Sequence, residues 1–213
     1  MISDERIVAF INSLEKNDDE FLIDLRNEAQ NEGIPIIRKE MESFLRVLFS
    51  IKKPIKVLEL GSAIGYSAIL MSRCLGDNGH ITTIENYDKR IVRAKENFIK
   101  SGEDKKITLI EGDALDEIKK LSDGFDFIFV DAAKAQYINY LPELIRLLNT
   151  GGIMITDNVL QDGDIFESRY GIIRRNRTIH SRMREYLEAV KNSDSLETTI
   201  VPIGDGVTLS VRK

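Results

Sequence analysis

The chain has 213 residues, 42% of them hydrophobic and 31% charged, with a net charge of −5. That length predicts one domain, 1–213, with a substantial core and a helical N-terminal extension over 1–52. The totals exclude a membrane span, since no apolar run is long enough, and an overall basic surface that would seek nucleic acid.

A local basic patch stays compatible with the acidic total. Met1-Ile2-Ser3-Asp4-Glu5-Arg6 lacks a basic segment followed by an apolar one, so no secretory leader is expected. The single cysteine, Cys74, rules out an internal disulfide and fits a reducing compartment, so the expected location is cytoplasmic. On the apolar face of an expected helix, Cys74 reads as a buried structural thiol.

Residues 4–52 read as helical. Ile7, Phe10, Ile11 and Leu14 share one face, as do Phe21, Leu22 and Leu25, then Phe44, Leu45 and Leu48. Gly33-Ile34-Pro35 interrupts this run before a third helix near Arg38. From Ile55 short apolar runs alternate with helical patterns. Strands are expected at 55–60, 80–85, 107–111, 125–130 and 152–156, and helices near 65–76, 88–101, 114–122, 136–149 and 176–192. This alternation means βαβ units in a parallel sheet with helices on both faces. Thr198–Val201 and Val207–Val211 flank Pro202-Ile203-Gly204-Asp205-Gly206, a turn that makes them antiparallel neighbours. The expectation is a seven-stranded, mostly parallel α/β sheet ending in an antiparallel hairpin.

Val57-Leu58-Glu59-Leu60-Gly61-Ser62-Ala63-Ile64-Gly65-Tyr66-Ser67 runs from a buried strand through a glycine turn into a helix. Gly61 and Gly65 let backbone approach a ligand. Their spacing is not the G-x-G-x-x-G of dinucleotide sites. Alone the turn is weak, because glycine also serves plain helix-on-strand packing. Glu85 ends the second strand, where an acid can accept ribose hydroxyls. Standing alone it reads equally well as a solvated strand-end acid. Gly112-Asp113-Ala114 ends the third strand, and Asp113 suits an adenine amino group or an N-cap. Together these strand ends describe a nucleoside pocket.

Asp131 follows Phe127-Ile128-Phe129-Val130, and Asp157-Asn158 follow Ile153-Met154-Ile155-Thr156. Acids placed after buried strands are costly without a compensating positive charge. Two carboxylates and an amide oxygen are hard donors that suit Mg²⁺, or Mn²⁺, over zinc or copper. Mg²⁺ takes about six oxygens, so three protein donors leave room for two adjacent acceptor oxygens and a water. Lys134 beside such a cation loses its proton more readily and becomes a general base. Without the acids it would read as a solvated loop lysine.

These features resemble the class I S-adenosylmethionine-dependent methyltransferases with their Rossmann-like fold. More narrowly they resemble the cation-dependent O-methyltransferases of the catechol and caffeoyl-CoA type, over Ile36 to Arg212. The resemblance rests on Glu59-Leu-Gly61…Gly65-Tyr-Ser67, Glu85, Gly112-Asp113-Ala114, Asp131-Ala-Ala-Lys134, Asp157-Asn158 and Pro202-Ile-Gly-Asp-Gly206. It implies that Glu59, Gly61, Ser62 and Ser67 hold the methionine part of S-adenosyl-L-methionine, Glu85 the ribose, and Asp113 with Ala114 the adenine side. It further implies a metal site of Asp131, Asp157 and Asn158, with Lys134 as base. Asp131 thereby serves cofactor, metal and catalysis together. A homodimer is implied by the resemblance as well.

Arg169, Arg174, Arg175, Arg177, His180, Arg182 and Arg184 crowd one segment after the acids. Arginine clusters attract phosphates, although an isolated charge run is more often a solvated face or a dimer contact. With Pro35-Ile36, Asp131-Ala-Ala-Lys134-Ala-Gln136-Tyr137 and Arg174-Arg175-Asn176-Arg177, the chain is similar to the bacterial tRNA 5-hydroxyuridine methyltransferase branch. That branch implies methylation of a wobble 5-hydroxyuridine to 5-methoxyuridine, with Arg169, Arg174, Arg175, Arg177 and Arg182 meeting the anticodon loop. Ala133 stands where plant caffeoyl-CoA enzymes carry an acid, which sets the chain apart from that branch. The alternatives are the same chemistry on a small catechol-like or caffeoyl-CoA-like metabolite, a nicotinamide-dependent oxidoreductase, and a non-catalytic protein binding through the arginine patch.

Overall fold

The computed structural model describes residues 5–15, 19–122 and 124–213. Residue 4 and residues 16–18 of the expected helical stretch, and the leader reading at 1–4, lie outside them. Seven strands form one sheet in the order β3-β2-β1-β4-β5-β7-β6. Two compact units divide the chain, Arg6–Ala114 and Leu115–Lys213 together with Glu5.

The first unit opens with helices α1 (Glu5–Leu14), α2 (Glu20–Asn31) and α3 (Lys39–Lys52). Asp19 caps α2 by accepting the Leu22 N–H at 3.2 Å. α3 stops at Lys53 in the left-handed region, just before Pro54. α2 and α3 bury Leu22, Leu25, Met41, Leu45 and Phe49. The apolar face read for α1 is present but uncovered: Ile7, Phe10, Ile11 and Leu14 all stay exposed.

β1 (Lys56–Leu60), α4 (Tyr66–Cys74), β2 (His80–Glu85), α5 (Asp88–Ser101) and β3 (Ile107–Glu111) follow. β1 pairs in parallel with β2, and β2 with β3, so Leu60 aligns with Ile84 and Glu85 with Glu111. Buried parallel strands demand near-continuous apolar sequence, which is why Val57, Leu58 and Leu60 could be read as a strand. Cys74 corrects one expectation. As the last residue of α4 it is half-buried rather than sealed, although burial still pushes its thiol pKa up while Arg46 pulls it down.

After α6 (Ala114–Lys120) the second unit holds β4 (Phe125–Val130), a 3₁₀ turn at Lys134–Gln136, α7 (Tyr137–Leu147) and β5 (Leu148–Thr156). Then come 3₁₀ turns at Gln161–Phe166 and Arg174–Asn176, α8 (Arg177–Lys191), β6 (Leu196–Val201) and β7 (Val207–Arg212). β5 starts four residues before the expected 152. Leu148 pairs with Phe125 and Ile153 with Phe127, so an irregularity containing Asn149, Thr150 and Gly151 interrupts the ladder. Those residues carry turn chemistry, which hid the strand's first half. β7 runs antiparallel to β6, as the Pro202–Gly206 turn requires, and antiparallel to β5 as well.

Candidate active site

Each unit presents a polar cluster at strand ends. In the first, the chain leaves β1 through Gly61 (φ 94°), Ala63 (φ 46°) and Gly65 (φ 88°), three left-handed residues within five. Such a turn points successive backbone N–H groups into a concavity suited to an anionic ligand group. Its hold on the strands is explicit. Gly61 N–H donates to the Ile84 carbonyl at 2.9 Å, and Gly65 N–H to the Ser62 carbonyl at 2.8 Å. A Cβ on Gly65 would lie 2.4 Å from Phe98 Cε1, so the turn also packs tightly on α5.

Glu59 is fully buried, and its two oxygens accept the hydroxyls of Ser67 and Thr83, each at 2.5 Å. These contacts fix the helix start against β2. Glu85 accepts the Ala63 N–H at 2.8 Å on one oxygen, and Asn86 and Tyr87 N–H at 3.0 and 3.1 Å on the other. The acid read as a ribose acceptor therefore also fastens the turn, with acceptor capacity left over. Gly112 N–H donates to the Glu85 carbonyl at 3.0 Å, bringing the end of β3 alongside. Asp113 is exposed there, and Ala114 is buried.

Ser62 decides whether this cluster fits a bound group. Its hydroxyl is buried yet has no hydrogen-bond partner among the described residues. A buried orphan hydroxyl is costly unless a ligand or water completes it. Located on the turn between Gly61 and Gly65, it fits a cofactor with polar groups.

Sequence reading missed three supports of this turn. Asn97 of α5 donates to the Ile64 carbonyl at 2.9 Å. Thr83 meets Glu59 as described. The third is a buried contact among Arg26, Glu42 and Tyr66. Asn97 carried a faint signal, a polar residue on the helix face of Ile91, Ala94 and Phe98.

In the second unit, Val130 pairs with Thr156, so Asp131 and Asp157 leave neighbouring strands in matched register. Asp157 N–H donates to the Val130 carbonyl at 2.9 Å and seals that alignment. Asp157 is 5% exposed. Burial, then the charge of Asp131 and, more weakly, Asp205, push its carboxyl up to about 7, while the Asn158 N–H and Lys134 pull it down. Asn158 adopts φ 59°, a left-handed conformation that Asn tolerates. Asp205, buried in the β6–β7 turn, received no role from sequence. The Asp205 and Gly206 carbonyls accept the N–H groups of Leu160 and Val159 at 2.8 and 2.9 Å, which ties that turn to the segment after Asn158.

Lys134 opens its 3₁₀ turn half-buried. Beneath lie aromatic rings. Tyr137 is fully buried, and burial plus the charges of Asp131 and Asp157 push its phenol well above the ordinary value, so it stays protonated. Tyr186 packs edge-on to it at 5.7 Å and shares a 2.6 Å hydrogen bond with Thr156. Among the described residues no three His, Cys, Asp or Glu side chains form a metal cluster. The candidate set is instead two carboxylates and an amide. It fits a hard divalent cation, because the donors are all oxygen and a positive charge removes the repulsion felt by Asp157.

The arginine segment is divided in use. Arg177 donates to the Ile172 and Tyr170 carbonyls at 3.0 and 3.3 Å, Arg182 to Ala135 at 3.1 Å, and Arg184 to Ile165 at 2.9 Å. Arg169, Arg174 and Arg175 are exposed, beside the exposed rings of Phe166 and Tyr170. Phe166, Arg169, His180 and Arg184 line a cleft of ≈ 630 Å³. Among the described residues no helix is long and apolar enough to cross a membrane.

A family profile described as O-methyltransferase matches residues 12–213. The chain is 33% identical to caffeoyl-CoA O-methyltransferase 1 of Eucalyptus globulus, over 79% of this chain and 71% of that one. It is 31% identical to the catechol O-methyltransferase of Niastella koreensis, over 76% of each. The S-adenosylhomocysteine-bound methyltransferase of Podospora anserina superposes with a TM-score of 0.89 at 25% identity, covering 98% of this chain and 94% of that one.

Proposed function

The chain belongs to the O-methyltransferase family, as an S-adenosylmethionine-dependent enzyme of the caffeoyl-CoA and catechol type, and from that premise we propose that it acts on a small catechol-like acceptor with two vicinal oxygens, with the help of a divalent cation. The observation that carries this reading is the pair of aligned acids, Asp131 and Asp157, with the Asp157 carboxyl held up at about 7 by burial and like charge. Asp131, Asp157 and Asn158 would hold Mg²⁺ or Mn²⁺. When bound, the ion would acidify an acceptor hydroxyl and fix its direction.

Glu59, Gly61, Ser62 and Ser67 take the methionine part of the cofactor in this proposal, Glu85 the ribose, and Asp113 with Ala114 the adenine side. Ser62 gains the partner its buried hydroxyl lacks. Lys134 Nζ would take the acceptor's hydroxyl proton as general base. S-adenosylmethionine, when bound, would supply the methyl group to the deprotonated acceptor oxygen and leave as S-adenosylhomocysteine. Tyr137, fully buried and within reach of the charges of Asp131 and Asp157, would give the acids an apolar neighbour packed on Tyr186.

The expectation of a tRNA acceptor becomes the second reading. Relatives named for catechol and caffeoyl-CoA favour a small acceptor, and Arg177 and Arg182 are engaged with the chain's own carbonyls. What favours tRNA is the exposed set Arg169, Arg174 and Arg175 with Tyr170, 86% exposed. Cations interleaved with rings suit unpaired nucleotides. Labelled methyl transfer to catechol, caffeoyl-CoA and 5-hydroxyuridine-containing tRNA separates the two. Transfer to the phenols is the expected result, and transfer to tRNA alone would overturn the small-acceptor reading.

A further inference from the structure

Arg26, Glu42 and Tyr66 come from three helices, α2, α3 and α4, and meet inside the first unit. Glu42 is 3% exposed and Tyr66 1%. Tyr66 Oη donates to a Glu42 carboxylate oxygen at 2.8 Å. The Arg26 guanidinium pairs with the same carboxylate, donates to the Ile37 carbonyl at 3.1 Å, and lies 4.8 Å above the Tyr66 ring. A single arginine thus bridges α2, the segment leading into α3, and the first turn of α4. Its Nε is buried with no partner among the described residues. A fork aimed for full hydrogen bonding would not leave that donor unmet.

Tyr66 directly follows Gly65, the last left-handed residue of the glycine turn, and precedes Ser67, which is tied to Glu59. Whatever fixes Tyr66 fixes the exit of that turn. Without Glu42 and Arg26, the first turn of α4 would keep its ties to Glu59, Glu85 and Asn97 and lose this hold on α2 and α3. A turn that must be ordered during binding loses affinity by that ordering.

We propose that Arg26, Glu42 and Tyr66 form a buried clasp through which the N-terminal helices preset the cofactor turn, making these three positioning residues for S-adenosylmethionine. The proposal rests on the reading of Gly61–Ser67 as the cofactor cradle. Acting through the turn that holds the cofactor, the clasp sets cofactor affinity and leaves the chemical step alone.

The test is calorimetric binding of S-adenosylhomocysteine to the full chain, alongside kinetics with each substrate varied. Tyr66→Phe removes one hydroxyl and should weaken S-adenosylhomocysteine about tenfold, as loss of one charge-assisted hydrogen bond would. The cofactor KM rises in step, while kcat at saturating cofactor and the acceptor KM stay within about twofold. Arg26→Met should do at least as much, and Arg26→Lys should recover part of the loss, giving a readout if a harsher variant fails to fold. Glu85→Ala serves as the control for the cradle. If it abolishes binding while Tyr66→Phe and Arg26→Lys change nothing beyond Tm, the clasp is merely structural and the proposal falls. If Glu85→Ala leaves binding intact, the cradle itself is misplaced and the clasp has no turn to preset.

Discussion

Burial and the neighbouring Asp131 charge together hold the Asp157 carboxyl up at about 7, against an ordinary value of 3.8. The folded state therefore keeps a proton that the unfolded chain has already lost across that interval. Stability falls as pH rises from about 4 to about 7, and levels off above, because folding there traps an unwanted charge. A divalent cation should cancel the loss, since it binds the ionised form. Thermal melts across pH with and without Mg²⁺ check this: the two curves should converge at acid pH and separate above neutrality. At the same scale, Lys134→Ala and Asp157→Ala should each lower kcat by about 10²-fold or more. The Lys134→Ala protein should keep its fold and its cofactor affinity. Asp131, Asp157 and Asn158 were legible because apolar runs ended abruptly in oxygen-bearing side chains. Asp205, Asn97 and the Arg26–Glu42 pair were not, because their partners sit on other elements and fall in no local sequence pattern.

Among the elements, the turn between β1 and α4 is the most constrained. Gly65→Ala would meet Phe98 at 2.4 Å and strain a φ of 88°. Overpacking and left-handed strain of this kind together cost about 1–3 kcal/mol. Urea unfolding should show that loss, and cofactor binding should weaken with it. The 3₁₀ turn bearing Lys134 has a tether of its own, Arg182 to the Ala135 carbonyl. Arg182→Met should reduce kcat more than cofactor affinity if that tether aims Lys134. From Ile55 onward periodicity located most helices and strands to within a few residues, whereas over 4–52 it gave a helical stretch without the bounds of α1 and α2. It failed at the start of β5, where Asn149-Thr150-Gly151 imitates a turn. It also could not tell that the apolar stripe of α1 stays uncovered, since a stripe identifies a face and not its partner.

For the whole molecule, the seven-stranded, mostly parallel sheet with its antiparallel hairpin is what alternating strands and a closing turn implied, while the order β3-β2-β1-β4-β5-β7-β6 comes from the structure alone. Assembly is the part that one chain's pattern leaves open. A second copy is the proposed partner for the exposed Ile7, Phe10, Ile11 and Leu14 of α1. Light scattering should then give twice the monomer mass, reduced to one in Phe10→Glu.

Methyl transfer by this chain is proposed to need an oxygen-bound divalent ion. The most direct measurement is the rate on a catechol with protein stripped by chelator, verified metal-free, and then titrated with Mg²⁺. Transfer should fall by at least about 10²-fold in the stripped protein and return with the ion. Stripped protein that methylates its acceptor at the original rate would contradict it.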